Sequence, residues 1–205
     1  MKDPQQINIA ISQPAVGIDQ QIYRAHDAQK TPLLQYLLKE GAYVSTIVFA
    51  SRKEIVKALY KELKAAHIMV AAFHSDLEQK EREEILLKFK NRQLPVIIGT
   101  DALSRGIDVE GIDLVINYDV PGDAEDYIHR IGRTARAATT GTAITFVNHR
   151  DERKLKSIED LIDRKIALHE VPPHIASIAE VRSAHVPNKN NRGKKKVWTK
   201  NKPTK

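Results

Sequence analysis

Cysteine is absent from all 205 residues, which excludes a disulfide framework and a zinc–thiolate site and agrees with a reducing compartment. Aromatic residues are scarce, at 5%, so the apolar material is mainly aliphatic. That composition suits helices packed on a mostly parallel sheet better than a sandwich or an aromatic-lined barrel. No apolar run reaches the roughly 18 residues of a membrane span, and no signal peptide opens the chain; the expectation is a soluble, cytoplasmic protein with no membrane partner. The phosphate-cradling pattern GxxxxGK followed by Ser or Thr is also missing, so these residues alone provide no phosphate loop.

Basic charge is present but unevenly placed. Between residues 188 and 205 stand Lys189, Arg192, Lys194, Lys195, Lys196, Lys200, Lys202 and Lys205, with no acid. Removing those eight charges from the net +7 leaves about −1 for residues 1–187, a near-neutral body with a cationic tail. The tail is poor in apolar residues, which predicts disorder without a partner. Its composition points to a polyanion, and Trp198 among the lysines is suited to stacking on a base; a merely solubilising tail is the plainer alternative.

After residue 40, short apolar runs alternate with amphipathic stretches. Strands are predicted at 46–50 (TIVFA), 68–73, 95–99 (PVIIG), 113–117 (DLVIN) and 142–147 (TAITFV), with helices at 53–66, 77–91, 123–131 and 151–163. This alternation predicts right-handed βαβ crossovers in one α/β domain, a doubly wound and mostly parallel sheet. Thr31 with Pro32 reads as a helix start, and Asp76 with Gln79 has the spacing of a capping box. Residues 7–25 read as an extended segment lying across a sheet edge. The two prolines at 172 and 173 read as the close of the last packed element. The expected organisation is an extended segment at 1–28, the domain at 29–170 and a basic flexible tail at 171–205.

Two stretches carry chemistry. Residues 129–136 (HRIGRTAR) set Arg133 and Arg136 three apart near a glycine, and guanidinium groups so placed can bind one phosphate through planar forks of donors. Residues 100–108 (TDALSRGID) follow the strand PVIIG, which puts Thr100, Asp101, Arg105 and Asp108 in the loop at its carboxyl end, where ligands gather in this architecture. A lone RGID reads first as an ordinary βα turn with Arg105 paired to Asp108.

These stretches do not stand alone. FHSD at 73–76 followed by Gln79 and Arg82, then TDALSRGID, then INYDVP at 116–121, then YIHRIGRTAR at 127–136, closely resemble in order and spacing the C-terminal RecA-like domain of the DEAD-box ATP-dependent RNA helicases, bacterial RhlE-type members included. The resemblance implies a RecA-like fold of the P-loop NTPase type. It also implies a role as half of an ATP-dependent RNA helicase that separates short duplexes when two RecA-like domains close around ATP and RNA. It departs from the family where His74-Ser75-Asp76 stands for HGD and where Ala135 stands for the glycine of RTGR.

By position, the resemblance makes Arg133 and Arg136 arginine fingers reaching the γ-phosphate of ATP, a contribution of roughly 10³ to 10⁵ in rate. Asp108 contacts the ribose, and Arg105 with Gly106 belongs to the nucleotide side of the domain interface. His129 couples the nucleotide site to the partner domain. Gln79, Arg82, Thr100 and Asp101, with Ser51 and Arg52, fall on the RNA side, as contacts to the sugar-phosphate chain. The implied cofactor is ATP, with Mg²⁺ held by an N-terminal RecA-like domain that also supplies the phosphate loop and the general base. The implied partners are RNA and that domain, with the chain itself monomeric and inactive alone.

Structural alternatives stand beside these roles. Gln79 is equally a capping acceptor, Arg82 a partner of a nearby glutamate, and His129 an ordinary half-buried histidine. His26, His67, His149, His169, His174 and His185 show no metal-ligand spacing, and Lys80, Glu81, Glu83 and Glu84 read as a solvent face. Two rival functions remain: a DNA-directed helicase domain of the same superfamily, and a stand-alone RNA- or protein-binding module without catalysis. The fingers are expected to be exposed, without a strong partner inside the domain.

Overall fold

In the computed structural model, which describes residues 17–106, 111–134 and 141–183, strands and helices alternate along the chain. The order is β1 (Ile18–Arg24), α1 (Asp27–Glu40), β2 (Thr46–Phe49), α2 (Lys53–Ala65), β3 (Val70–Phe73), α3 (Gln79–Lys90), β4 (Val96–Gly99), α4 (Asp101–Gly106), β5 (Leu114–Asn117), α5 (Ala124–Ile131), β6 (Gly141–Val147), α6 (Glu152–Leu161), β7 (Ala167–His169) and α7 (Pro173–Ser183). The seven strands form one parallel sheet in the order β3-β4-β2-β5-β6-β1-β7.

Strands β2, β4 and β5 are buried along their whole length, as expected of parallel strands covered on both faces. Alternate side chains sort them between two layers. Val48, Ile98, Ile116 and Phe146 pack with Leu33 and Leu34 of α1, Val56 and Leu59 of α2, and Ile175 of α7. Ile47, Phe49, Ile97 and Val115 face the other way, onto Phe89 of α3 and Leu103 of α4. On that same side Ala143 and Val147 meet Tyr127 and Ile131 of α5 and Leu155 and Ile158 of α6. The period of two along each strand thus produces the double winding.

Several local expectations are corrected. β1 is not laid across an edge: it is hydrogen-bonded between β6 and β7. α1 starts at Asp27, not at Thr31, and Pro32 lies inside it; the cap is at His26, whose N–H donates to Gln29 Oε1 at 2.9 Å. α3 is capped at Glu78, whose N–H donates to Glu81 Oε2 at 2.8 Å, so Asp76 and Gln79 do not form a capping box. The two prolines open a helix rather than closing one, with Pro173 at the first position of α7 where its missing N–H costs nothing. Residues 173–183, expected in a flexible tail, instead carry a helix docked on α1: Gln29 Nε2–H donates to the Ala176 carbonyl at 2.9 Å. The basic stretch from residue 188 lies outside the described residues.

Among the described residues no helix is long and apolar enough to cross a membrane.

Candidate functional site

The loops at the carboxyl ends of β2, β3, β4 and β5 share one edge because the strands are parallel and in register, Phe49 beside Gly99 and Asn117, and Gly99 beside Phe73. That edge brings together Ser51 and Arg52 after β2, His74 to Asp76 after β3, Thr100 and Asp101 after β4, and Tyr118 and Asp119 after β5. Asp101 lies in α4 rather than in a loop, and Arg105 and Gly106 form the end of that helix. Asp108 and Arg136 lie outside the described residues.

One recess of about 250 Å³ is bounded by His74, Ser75, Gln79, Arg82 and Ala102. Arg82, in the first turn of α3, donates from Nη2 to the Ser75 carbonyl at 2.9 Å, which aims the guanidinium at the turn between β3 and α3. Among the described residues no glutamate pairs with it. Gln79 donates to Glu83 Oε1 at 2.8 Å and is exposed. Burial, with Lys57 nearby, holds the His74 imidazole below its ordinary pKa. Asp76 is gripped by Lys57 at 2.6 Å and Lys53 at 3.0 Å, and their hydrogen bonds hold its carboxyl far below the usual range.

A larger cavity, about 580 Å³, opens between α1 and α2, with Lys30, Ser51, Arg52, Tyr118 and Asp119 in its wall. It lies where β2 and β5 are neighbours while their crossovers run to opposite sides, the switch point at which doubly wound sheets bind ligands. Here the protein supplies its own anion. The Ser51 N–H donates to Asp119 Oδ2 at 2.9 Å, and Lys30, whose side chain is 4% exposed, lies 3.3 Å from Asp119 Oδ1. Desolvation of Asp119 is outweighed by these donors, and its pKa is lowered. With a carboxylate on the backbone donor where a nucleotide phosphate would bind, the residues here do not fit a self-sufficient nucleotide site.

Arg130 links this edge to the flank of the domain. It is 2% exposed because Tyr127, Arg130 and Ile131, at i, i+3 and i+4, form the buried face of α5. Its Nε–H donates to Asp101 Oδ1 at 2.7 Å, and its Nη1 donates to Asn117 Oδ1 and to the Asp119 carbonyl, each at 3.2 Å. The guanidinium also lies 5.1 Å from the centre of the Phe49 ring. One buried cation therefore holds the carboxyl ends of β4 and β5. Sequence reasoning missed it, although the i, i+3, i+4 spacing with Tyr127 and Ile131 was the available signal.

His129 is exposed on α5. Arg133 follows that helix and lies toward the opposite edge of the sheet, its carbonyl accepting from the Ile112 N–H just before β5 at 3.1 Å. Thr134 is buried and donates to the Ile112 carbonyl at 2.6 Å. Arg133 is half-buried and engaged within the domain, which corrects the expectation of an exposed arginine with no internal partner. Among the described residues, Arg133 thus lies away from the edge that gathers the residues predicted for RNA, and the Arg130–Asp101 pair ties the helix before it to that edge.

Residues 29–138 match the family described as helicase conserved C-terminal domain. The chain is 38% identical over 176 residues to the ATP-dependent RNA helicase DeaD of Haemophilus influenzae, covering 85% of this chain and 29% of that protein. Among solved structures it is similar to the C-terminal domain of the DEAD-box protein Dbp5, with a TM-score of 0.72 at 30% identity, covering 82% of this chain and 98% of that one. It is also similar to S. cerevisiae Dbp5 bound to RNA and ADP BeF3, with a TM-score of 0.75 at 28% identity, over 85% of this chain and 47% of that one. The chain spans under a third of the length of the curated relative DeaD.

Proposed function

This chain belongs to the DEAD-box RNA helicase family as its C-terminal RecA-like domain, and from that membership we propose that it supplies the arginine fingers and half of the RNA surface of an ATP-dependent RNA helicase. The observation that carries the reading is the Arg130–Asp101 pair at 2.7 Å. It makes the stretch bearing Arg133 and the turn bearing Thr100 one mechanical unit, so a nucleotide on one surface and RNA on the other bias the same element.

In this reading Arg82, Gln79, Thr100, Ser51 and Arg52 hold the sugar-phosphate chain, with little sequence preference. Arg133 and Arg136 neutralise charge on a transferring phosphoryl group, and Asp108 and Arg105 face the nucleotide. ATP, bound mainly by an N-terminal RecA-like domain with its magnesium, supplies the phosphoryl group and the free energy of hydrolysis. In this reading the half-buried Arg133 is delivered to the phosphate by domain closure.

The test is hydrolysis measured in two settings. Alone, the 205-residue chain hydrolyses ATP at no more than background. Joined to a RecA-like domain bearing a phosphate loop and a DEAD sequence, it gains RNA-stimulated hydrolysis, and Arg133→Ala or Arg136→Ala then lowers kcat by roughly 10³ to 10⁵. Robust hydrolysis by the chain alone, or full activity of both arginine variants, overturns the proposal.

A further inference from the structure

Helix α2 carries four lysines against two acids, and the lysines gather on one face. Lys53, Lys57, Lys61 and Lys64 are all exposed and fall within an arc of about 80° at 3.6 residues per turn. Of the helix's two acids, both in the wall of the larger cavity, Glu62 stands on a different face while Glu54 borders the stripe, one heptad before Lys61. A helix that only needs solubility gains from interleaved signs, since Glu–Lys pairs at i, i+4 support it and like charges at that spacing weaken it. Here Lys53, Lys57 and Lys61 follow one another at i, i+4, against the helix's own stability.

The stripe is also placed at the candidate RNA edge. It begins directly after Ser51 and Arg52, and its first two lysines grip Asp76 in the segment leading to Gln79 and Arg82. The far half is not neutralised. Lys61 has no acidic partner among the described residues, and Lys64 Nζ lies 5.4 Å from the centre of the Tyr60 ring rather than against a carboxylate. Lys53, Lys57 and Lys61 follow one another at about 6 Å along the axis, with Lys64 about 4.5 Å beyond, comparable to the step between phosphates of an extended strand.

We propose that the lysine stripe of α2 is a second RNA-binding surface, which takes the backbone of the strand as it leaves the recess of Arg82 and runs along the helix past Lys61 and Lys64. The proposal rests on the reading of that recess as an RNA site. It assigns α2 no base preference, since ammonium groups recognise phosphates as point charges.

The test uses the full 205-residue chain, so that the basic stretch at 188–205 is the same in every variant, and labelled oligouridylates of about six and about twenty-four nucleotides. Anisotropy titrations at about 50 and about 200 mM salt give affinity and salt slope. For Lys61→Glu with Lys64→Glu, affinity for the long probe falls about tenfold and the slope shrinks by roughly 1 to 1.5. The short probe changes less than about twofold, and Lys61→Arg with Lys64→Arg behaves as the parent. With the parent chain, the long probe but not the short one shields Lys61 and Lys64 from an amine-reactive label. Equal losses for both probes, no loss for either, or unchanged labelling overturns the proposal. If the short probe binds and Arg82→Ala weakens it while the glutamate pair leaves the long probe untouched, only the stripe falls. If the parent binds neither probe, the recess reading falls and the stripe with it.

Discussion

Replacing Arg130 tests the architecture most directly, because one side chain there satisfies acceptors from three elements. In Arg130→Ala the Asn117 Oδ1 and Asp119 carbonyl acceptors lose their donor. Asn117 is fully buried, and each acceptor left dry costs about 1–3 kcal/mol. Asp101 loses a charge-assisted bond, but its side chain is 37% exposed, so water recovers much of that loss and the full penalty of a broken buried pair does not apply. The expected destabilisation is about 3–5 kcal/mol, a large share of the stability typical of a single domain. Arg130→Lys keeps the charge without the fork and is expected to recover less than half of that. Asp101→Asn alone is expected to cost about 1 kcal/mol, and a double-mutant cycle between the two positions to give a coupling of about 1–2 kcal/mol. Urea unfolding followed by circular dichroism measures the parent and these four variants. A loss under about 1 kcal/mol for Arg130→Ala, or no coupling to Asp101, refutes the view that this cation clamps the carboxyl edge.

Gly141 opens β6 where an added Cβ would meet the Thr134 hydroxyl and carbonyl; Gly141→Ala is therefore expected to displace Thr134 from the Ile112 carbonyl, cost about 1–3 kcal/mol and lower Tm by several degrees, and an unchanged Tm would show that the Arg133 segment yields freely. Stability should also fall in two stages on acidification. His74 is held below its ordinary 6.5, so below that pH the unfolded chain takes up a proton that the fold resists, and stability declines as pH drops. Asp76 contributes stability that is complete above its ordinary 3.8 and is lost progressively below it. An NMR titration placing His74 at or above 6.5 would contradict this account.

How much was legible in the chain depended on whether the signal was local. The apolar runs TIVFA, PVIIG and DLVIN became β2, β4 and β5 because strands buried on both faces need no partner-specific pattern. β7, only three residues long with Ala167 and Leu168 exposed, carries no such run and is defined by its pairing to β1. The Thr31 and Pro32 signal failed for a tertiary reason. Gln29 and Lys30 are buried, one tied to α7 and the other to Asp119, and these contacts extend α1 past the start that proline would favour. His67, Arg92 and Asp163 take positive φ just beyond α2, α3 and α6, a role composition assigns to glycine.

The sequence by itself determined the alternation, the parallel winding and the residue types that can meet phosphate, because periodicity and spacing act over one or two turns of chain. Only the tertiary structure decided which of those residues share a surface. Folding brought Ser51, His74, Arg82, Thr100 and Asp119 to one edge, turned Arg133 toward the other, and filled the switch point with Asp119 and Lys30. It buried Arg130 between them, because a guanidinium in the interior is tolerated only where several distant acceptors converge on it.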